Sequence, residues 1–138
     1  MILPPPARPV TQTVWRSGSA SSGQREIPEE MPVAFSYNRV ALAVMLATPA
    51  DLEDFAVGFS LTESIVATPS EIEELTVVPV AEGVELRMWL GPERAAVAER
   101  RRRRLAGPSG CGLCGIESLA EAARPPASVA AGAPFSAG

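Results

Sequence analysis

One amphipathic stripe set between two pairs of apolar runs constrains this chain more than any other feature of it. Leu52, Phe55, Ala56 and Phe59 recur at i, i+3, i+4 and i+7, so a helix there presents a single apolar face. Before it, Pro32 to Tyr37 and Val40 to Ala47 are rich in Val and aromatic residues, and only Asn38-Arg39 separates them, the length of a tight hairpin turn. After it, Leu75 to Val80 and Val84 to Leu90 are joined through Glu82-Gly83, with Val84, Leu86, Met88 and Leu90 alternating against Glu85, Arg87 and Trp89. The order is strand, strand, helix, strand, strand. Two hairpins and one helix close a single core when the helix covers one face of the sheet, which makes the expected class α+β.

The boundaries follow from capping chemistry. Thr48-Pro49-Ala50-Asp51 predicts an N-cap at Thr48 with proline in the first helical position, and Asp51, Glu53 and Asp54 suit the helix dipole. Gly58 within the stripe predicts a close backbone approach. Pro92 and Glu93 open a second helix that runs into Arg100–Arg104, where cations suit the negative terminus, and Glu99 and Arg103 stand at i, i+4. Gly107-Pro108 ends it; a glycine-rich loop and a short helix over Ile116 to Ala123 follow. The expected organisation is therefore a flexible segment over 1–27 with one edge strand at Val10 to Trp15, and an α+β domain over 28–106 shaped as a ubiquitin-like roll. A cysteine loop and short helix over 107–123 and a low-complexity tail over 124–138 complete it.

Two absences prune the chemistry. The chain has no histidine, which removes imidazole bases and His-bearing zinc sites, and its 12 basic residues are all arginine. Without lysine there is no Schiff base or P-loop ammonium, whereas guanidinium favours bidentate grip on phosphate or carboxylate. The formal charge of -4 argues against a nucleic-acid coat, and no aromatic stacking platform accompanies the arginine run. No apolar run reaches the length of a membrane span and Met1 to Pro6 lacks the pattern of a signal peptide, so the expected location is the cytoplasm. Asp51, Glu53 and Asp54 read as capping groups, and Phe55, Phe59, Met88 and Trp89 as packing residues.

What remains for reactivity is Gly110-Cys111-Gly112-Leu113-Cys114-Gly115. Three glycines around two thiols give a backbone that a large partner can approach closely. Arginines upstream and a helix start downstream are both sources of a lowered thiol pKa. By spacing alone four readings stay open: a thiol-disulfide redox couple, half of a zinc site completed by another chain, incidental thiols, and a relay that carries sulfur as a persulfide.

Pro28 to Val33, the long run Met45 to Glu63 and the cysteine loop together resemble the formate dehydrogenase accessory sulfurtransferases, over about Pro28 to Leu119. The resemblance implies a sulfur carrier that accepts a persulfide sulfur from a cysteine desulfurase and delivers it to the molybdenum bis-guanine-dinucleotide cofactor for formate dehydrogenase. It maps the persulfide to Cys111, with Cys114 as an accessory thiol. The phosphates of that acceptor give Arg100, Arg101, Arg102, Arg103 and Arg104 a role as docking surface. The family is about twice this length and continues into a cytidine-deaminase-like α/β domain, so residues beyond the roll are expected to be the opening of an incomplete second domain, and a homodimer or a catalytically inert binding module are further expectations. The family places glycine where this chain has Ser64.

Overall fold

The computed structural model describes residues 2–102, 118–125, 128 and 130–132. Its elements run β1 (Ala7–Arg16), β2 (Ser19–Pro28), β3 (Met31–Tyr37), β4 (Val40–Ala47), α1 (Leu52–Thr62), β5 (Ile72–Val80), β6 (Gly83–Leu90), α2 (Pro92–Arg102) and α3 (Leu119–Ala122). The class is α+β, as expected. The two sequence-predicted hairpins form one four-stranded sheet in the order β4-β3-β6-β5. Its centre is the parallel pairing of β3 with β6, from Val33 opposite Val84 to Tyr37 opposite Met88, with antiparallel partners on either side.

The turn between β3 and β4 shows why so short a connection holds. Asn38 and Arg39 both take positive φ, 49° and 67°, the backbone of a two-residue hairpin that matches strand twist. The Asn38 side chain donates to Leu90 O at 2.9 Å and accepts from Leu90 N at 2.8 Å, while its own N–H donates to Met88 O at 2.9 Å. One side-chain amide thus extends the central parallel ladder beyond its last backbone pair. At the other hairpin, Gly83 is the only residue type that fits, because a Cβ there would collide with the Pro32 carbonyl oxygen of β3.

The two faces of the sheet differ. Val33, Phe35, Tyr37, Val84, Leu86, Met88 and Leu90 face α1 and α2 and form the main core with Leu52, Ala56 and Ala98. Phe35 lies between Phe55 and Phe59, at centroid distances of 5.1 and 4.3 Å. Ser60 is wholly buried in this core: its hydroxyl donates to Ala56 O at 2.7 Å and so accepts from the Tyr37 hydroxyl at 2.7 Å. Burial pushes the Tyr37 phenol above its ordinary range, which keeps it neutral and a donor, against the opposing influence of the Ser60 bond and with a further push from Glu63. The opposite face is covered in part by α3, whose Leu119 packs with Ala34 and Val44.

α2 has a single buried residue, Ala98, and is strapped down at both ends by ion pairs seven residues apart on one helix face. Arg94 reaches Glu71 at 2.8 Å and Arg101 reaches Glu63 at 2.6 Å. The Glu71 carboxyl is held below its ordinary pKa chiefly by the Ala67 N–H, with Arg94 and the Thr68 N–H adding to the effect.

Four sequence expectations are corrected. Helix α1 begins after Asp51, not Thr48: Ala50 N bonds Thr48 O at 2.8 Å, and the tight turn throws Asp51 into the left-handed region at φ 51°, where short polar side chains are tolerated. Gly58 meets nothing within 4 Å of a built Cβ and faces outward, so no close approach requires it. The expected flexible segment 1–27 with one edge strand is instead a paired hairpin, β1 with β2, turned at Ser17-Gly18, where φ is 50° and 78°. Its second arm, Ser-Ala-Ser-Ser-Gly-Gln-Arg-Glu-Ile-Pro, has too few β-branched residues to signal a strand; backbone pairing and turn chemistry make it one. The short helix expected over Ile116 to Ala123 is Leu119–Ala122, capped by Ser118, whose Oγ accepts from Glu121 N at 3.2 Å; residues 116 and 117 lie outside the described residues.

Ser64, where the resembling family has glycine, sits at φ 56° just beyond α1, a conformation that favours glycine.

Two measurements test this account. Gly58→Ala is expected to raise unfolding stability by about 1 kcal/mol in chemical denaturation, since it adds helix propensity without a clash. Ser60→Ala is expected to cost about 1–3 kcal/mol by orphaning the buried phenol, and adding Tyr37→Phe should recover much of it. Because the phenol is neutral in the folded chain, stability falls as pH rises above about 10, and Tyr37→Phe should abolish that slope. Tyr37 is the only tyrosine, so tyrosinate absorbance reads it directly.

Candidate functional site

Cys111, Cys114, Arg103 and Arg104 lie outside the described residues, and with them the expected Glu99–Arg103 pair. The described residues that bracket them are Arg102, at the end of α2, and Ser118, at the start of α3. These stand on opposite faces of the sheet: α2 contributes Ala98 to the main core, and α3 contributes Leu119 to the smaller one. Two surfaces therefore flank the cysteine-bearing stretch in sequence.

The first is the arginine end of α2. Both Arg101 Nε, at 2.8 Å, and Arg101 Nη2, at 2.6 Å, bond the same Glu63 oxygen, so this guanidinium is committed to α1. Arg102 pairs with Glu99 at 3.7 Å. Arg100 is exposed and lines a shallow recess with Glu63, Ser64, Val97 and Arg101. The expected five-arginine surface is thus graded among the described residues. Arg100 is open to an incoming anion, and Arg101 meets one only by exchanging its carboxylate.

The second surface is a groove of about 840 Å³ on the sheet face opposite α1, floored by Ala34, Ser36, Thr76 and Val78 and walled at one end by Ser118 and Leu119. Strand alternation puts it there: the residues that turn away from the core on β5 and β6 are Glu74, Thr76, Val78, Glu85, Arg87 and Trp89. Arg87 is neutralised by Glu85 at 2.6 Å, and the Arg39 guanidinium lies 5.5 Å from the centre of the Trp89 ring. Trp89, expected to be a packing residue, is 36% exposed on this face, while Met88 is buried and Phe55 and Phe59 pack against the core. Arg39 was not expected at a site. The signal that could have found it is the strand period, which sends Trp89 to the face opposite Met88.

Among the described residues no group of His, Cys, Asp or Glu is arranged to hold a metal ion, and no helix is long and apolar enough to cross a membrane.

The chain resembles known proteins over most of its length. The sulfur carrier protein FdhD of Agrobacterium fabrum is 51% identical over 117 residues, covering 85% of this chain and 43% of that protein. The sulfur carrier protein FdhD of Xanthomonas campestris pv. campestris (strain B100) is 50% identical over 125 residues, 88% of this chain and 44% of the relative. The chain thus spans less than half the length of these curated relatives. A crystal structure of a candidate formate dehydrogenase accessory protein from Desulfotalea psychrophila shares the fold, with a TM-score of 0.55 at 22% identity over 63% of this chain and 35% of that one. The model of the FdhD/NarQ family matches residues 28–137, which takes in the four-stranded sheet, the arginine run and both cysteines, and the chain belongs to that family.

Proposed function

We propose that this chain is the part of a sulfur carrier that holds the transferable atom, with Cys111 as its carrier and Cys114 as an accessory thiol. The observation that supports this most is the family match across 28–137, which spans the cysteine pair and joins a chain without histidine or lysine to sulfur carrier relatives. The chemistry is balanced without an external oxidant. The Cys111 thiolate attacks the outer sulfur of a persulfide on a cysteine desulfurase, the donor's S–S bond breaks, and the donor cysteine leaves as thiolate. Cys111 is left as the persulfide. Delivery to the molybdenum bis-guanine-dinucleotide cofactor, the acceptor substrate, for use by formate dehydrogenase in the cytoplasm, is as sulfide: the Cys114 thiolate attacks the inner sulfur of the Cys111 persulfide, the S–S bond breaks with release of hydrosulfide to the acceptor, and the Cys111–Cys114 disulfide left behind is reduced by an external dithiol.

The roll is read as ubiquitin-like on the support of its hairpin, helix, hairpin order and central parallel pair. The residues beyond it are read as the opening of a cytidine-deaminase-like domain on the resemblance alone. The arginine end of α2 serves as the docking surface for the acceptor's phosphates, with Arg100 as first contact and Arg101 recruited from Glu63.

Incubation with a cysteine desulfurase and cysteine is expected to add about 32 Da, one sulfur atom, to a peptide containing Cys111, read by mass spectrometry under non-reducing conditions. Cys111→Ala should abolish the adduct; equal labelling of that variant would overturn the assignment. For the docking surface, Glu63→Gln releases Arg101 and is expected to tighten binding of guanosine diphosphate by about threefold to tenfold in calorimetry, whereas Arg100→Glu should weaken it. Unchanged affinity in both variants would remove α2 from the docking surface.

A further inference from the structure

Helix α2 is held by its ends rather than by its underside. After Pro92 its apolar residues are Ala95, Ala96, Val97 and Ala98, all small, and of these only Ala98 is buried. Beneath the helix, between Ala95 and Ala98 and the β4 edge at Val40 and Leu42, lies a cavity of about 150 Å³. Close packing therefore contributes little to the seat of α2, and the ion pairs at its two ends set its position.

The two fastenings are unequal. Glu71 divides its carboxylate: Oε2 accepts from Ala67 N–H at 2.6 Å and from Thr68 N–H at 3.3 Å, which leaves Oε1 to Arg94 Nε at 2.9 Å and Nη2 at 2.8 Å. This end also joins β6 directly through Gly91. At the other end a single oxygen of Glu63 takes both bonds from Arg101. Glu63 is the fixed member of that pair: it closes α1, and just after it Ile65 and Val66 are buried with their N–H groups on Ser60 O. Arg101 is the movable one, with 38% of its side chain exposed. The recess of about 210 Å³ in which Glu63 and Ser64 face Val97, Arg100 and Arg101 is thus the seam between α1 and α2.

We propose that α2 is an anion-operated strap: a phosphate-bearing ligand that enters at Arg100 takes Arg101 from Glu63, and the far end of α2 swings away from α1 about the Arg94–Glu71 pin, carrying the chain that leads on to Cys111 and Cys114. This rests on the docking of phosphates at the arginine end of α2 and adds the motion that such docking causes. The drive is electrostatic. A phosphate on the Nε–Nη2 edge of Arg101 stands where the Glu63 carboxylate stood, so two like charges face each other across the seam, one fixed to α1 and one held by α2. Arg94 and Arg101 are seven residues apart, a lever of about 10 Å, so a tilt of about 20° carries the far end about 3–4 Å. That breaks a 2.6 Å pair. Once lifted, an 11-residue helix is too short to hold by itself in water, and its last turn frays.

The test is amide hydrogen exchange on the full chain, read by mass spectrometry, with guanosine diphosphate as the ligand. Its occupancy is set by calorimetry, and ionic strength is held constant with chloride so that screening does not pass for binding. At saturation the amides of residues 98–102 are expected to exchange about twofold to fivefold faster, while those of β6 stay unchanged. Glu63→Gln should show the faster exchange without ligand. The swapped pair, Glu63→Arg with Arg101→Glu, should restore the protection of the parent, and its α2 should no longer loosen on binding, because the guanidinium then stands on α1. Nucleotide binding with unchanged α2 exchange would overturn the strap and leave the docking surface standing. Absence of binding would overturn the docking surface and the strap with it, and exchange in Glu63→Gln equal to that of the parent would overturn the strap alone.

Discussion

The parallel ladder between β3 and β6 is the contact on which the rest of this structure hangs. Each hairpin is local and forms through its own turn, but neither buries its apolar face alone. Only when Val33 to Tyr37 align with Val84 to Met88 do the apolar sides of four strands become one surface that α1 can cover. Two details fix that alignment. Gly83 lets β6 start against the Pro32 carbonyl, and the Asn38 amide carries the ladder on to Leu90 at the other end. A one-residue slip would lose both and turn Glu85, Arg87 and Trp89 into the core.

With the sheet in place, its two faces acquire different work. The core face carries α1 by burial and α2 by ion pairing. α2 has little apolar surface to offer, and Arg94 and Arg101 compensate from two turns apart. Such half-exposed pairs contribute modestly to stability. Their larger effect is positional, because they set where the arginine end of α2 stands and which guanidinium is available there. The outer face is left as a groove, closed at one end by α3. The stretch that holds the cysteines therefore runs in sequence from the arginine end of α2 to the short helix that closes the groove.

Much of the fold was legible before the structure, and the reasons are physical. Strand alternation in Val84 to Leu90, the helical stripe of Leu52 to Phe59 and the dipeptide Asn38-Arg39 are periodic or local signals, and each became the expected element. The failures have a common origin. Thr48 looked like a cap because capping chemistry is read residue by residue, but a tight turn through Ala50 moved the helix start to Asp51. The β2 strand has no periodic apolar signal, and Ser60 carries a hydroxyl that no hydrophobic pattern places in a core. At the site, the arginine run was visible as charge, yet the distinction between Arg100 and Arg101 depends on Glu63, 38 residues away from Arg101 in sequence.

What the sequence determined by itself was the set of local elements, the exclusion of imidazole and lysine chemistry, and the family, because periodicity, turn residues and residue order are properties of neighbouring positions. What only the tertiary structure decided was the pairing of distant partners: β3 beside β6, Tyr37 on Ser60 and Arg101 on Glu63. Those pairings depend on how the backbone closes loops between positions far apart in the chain, and on which side chains remain within reach once it has done so. One-dimensional spacing does not record that distance.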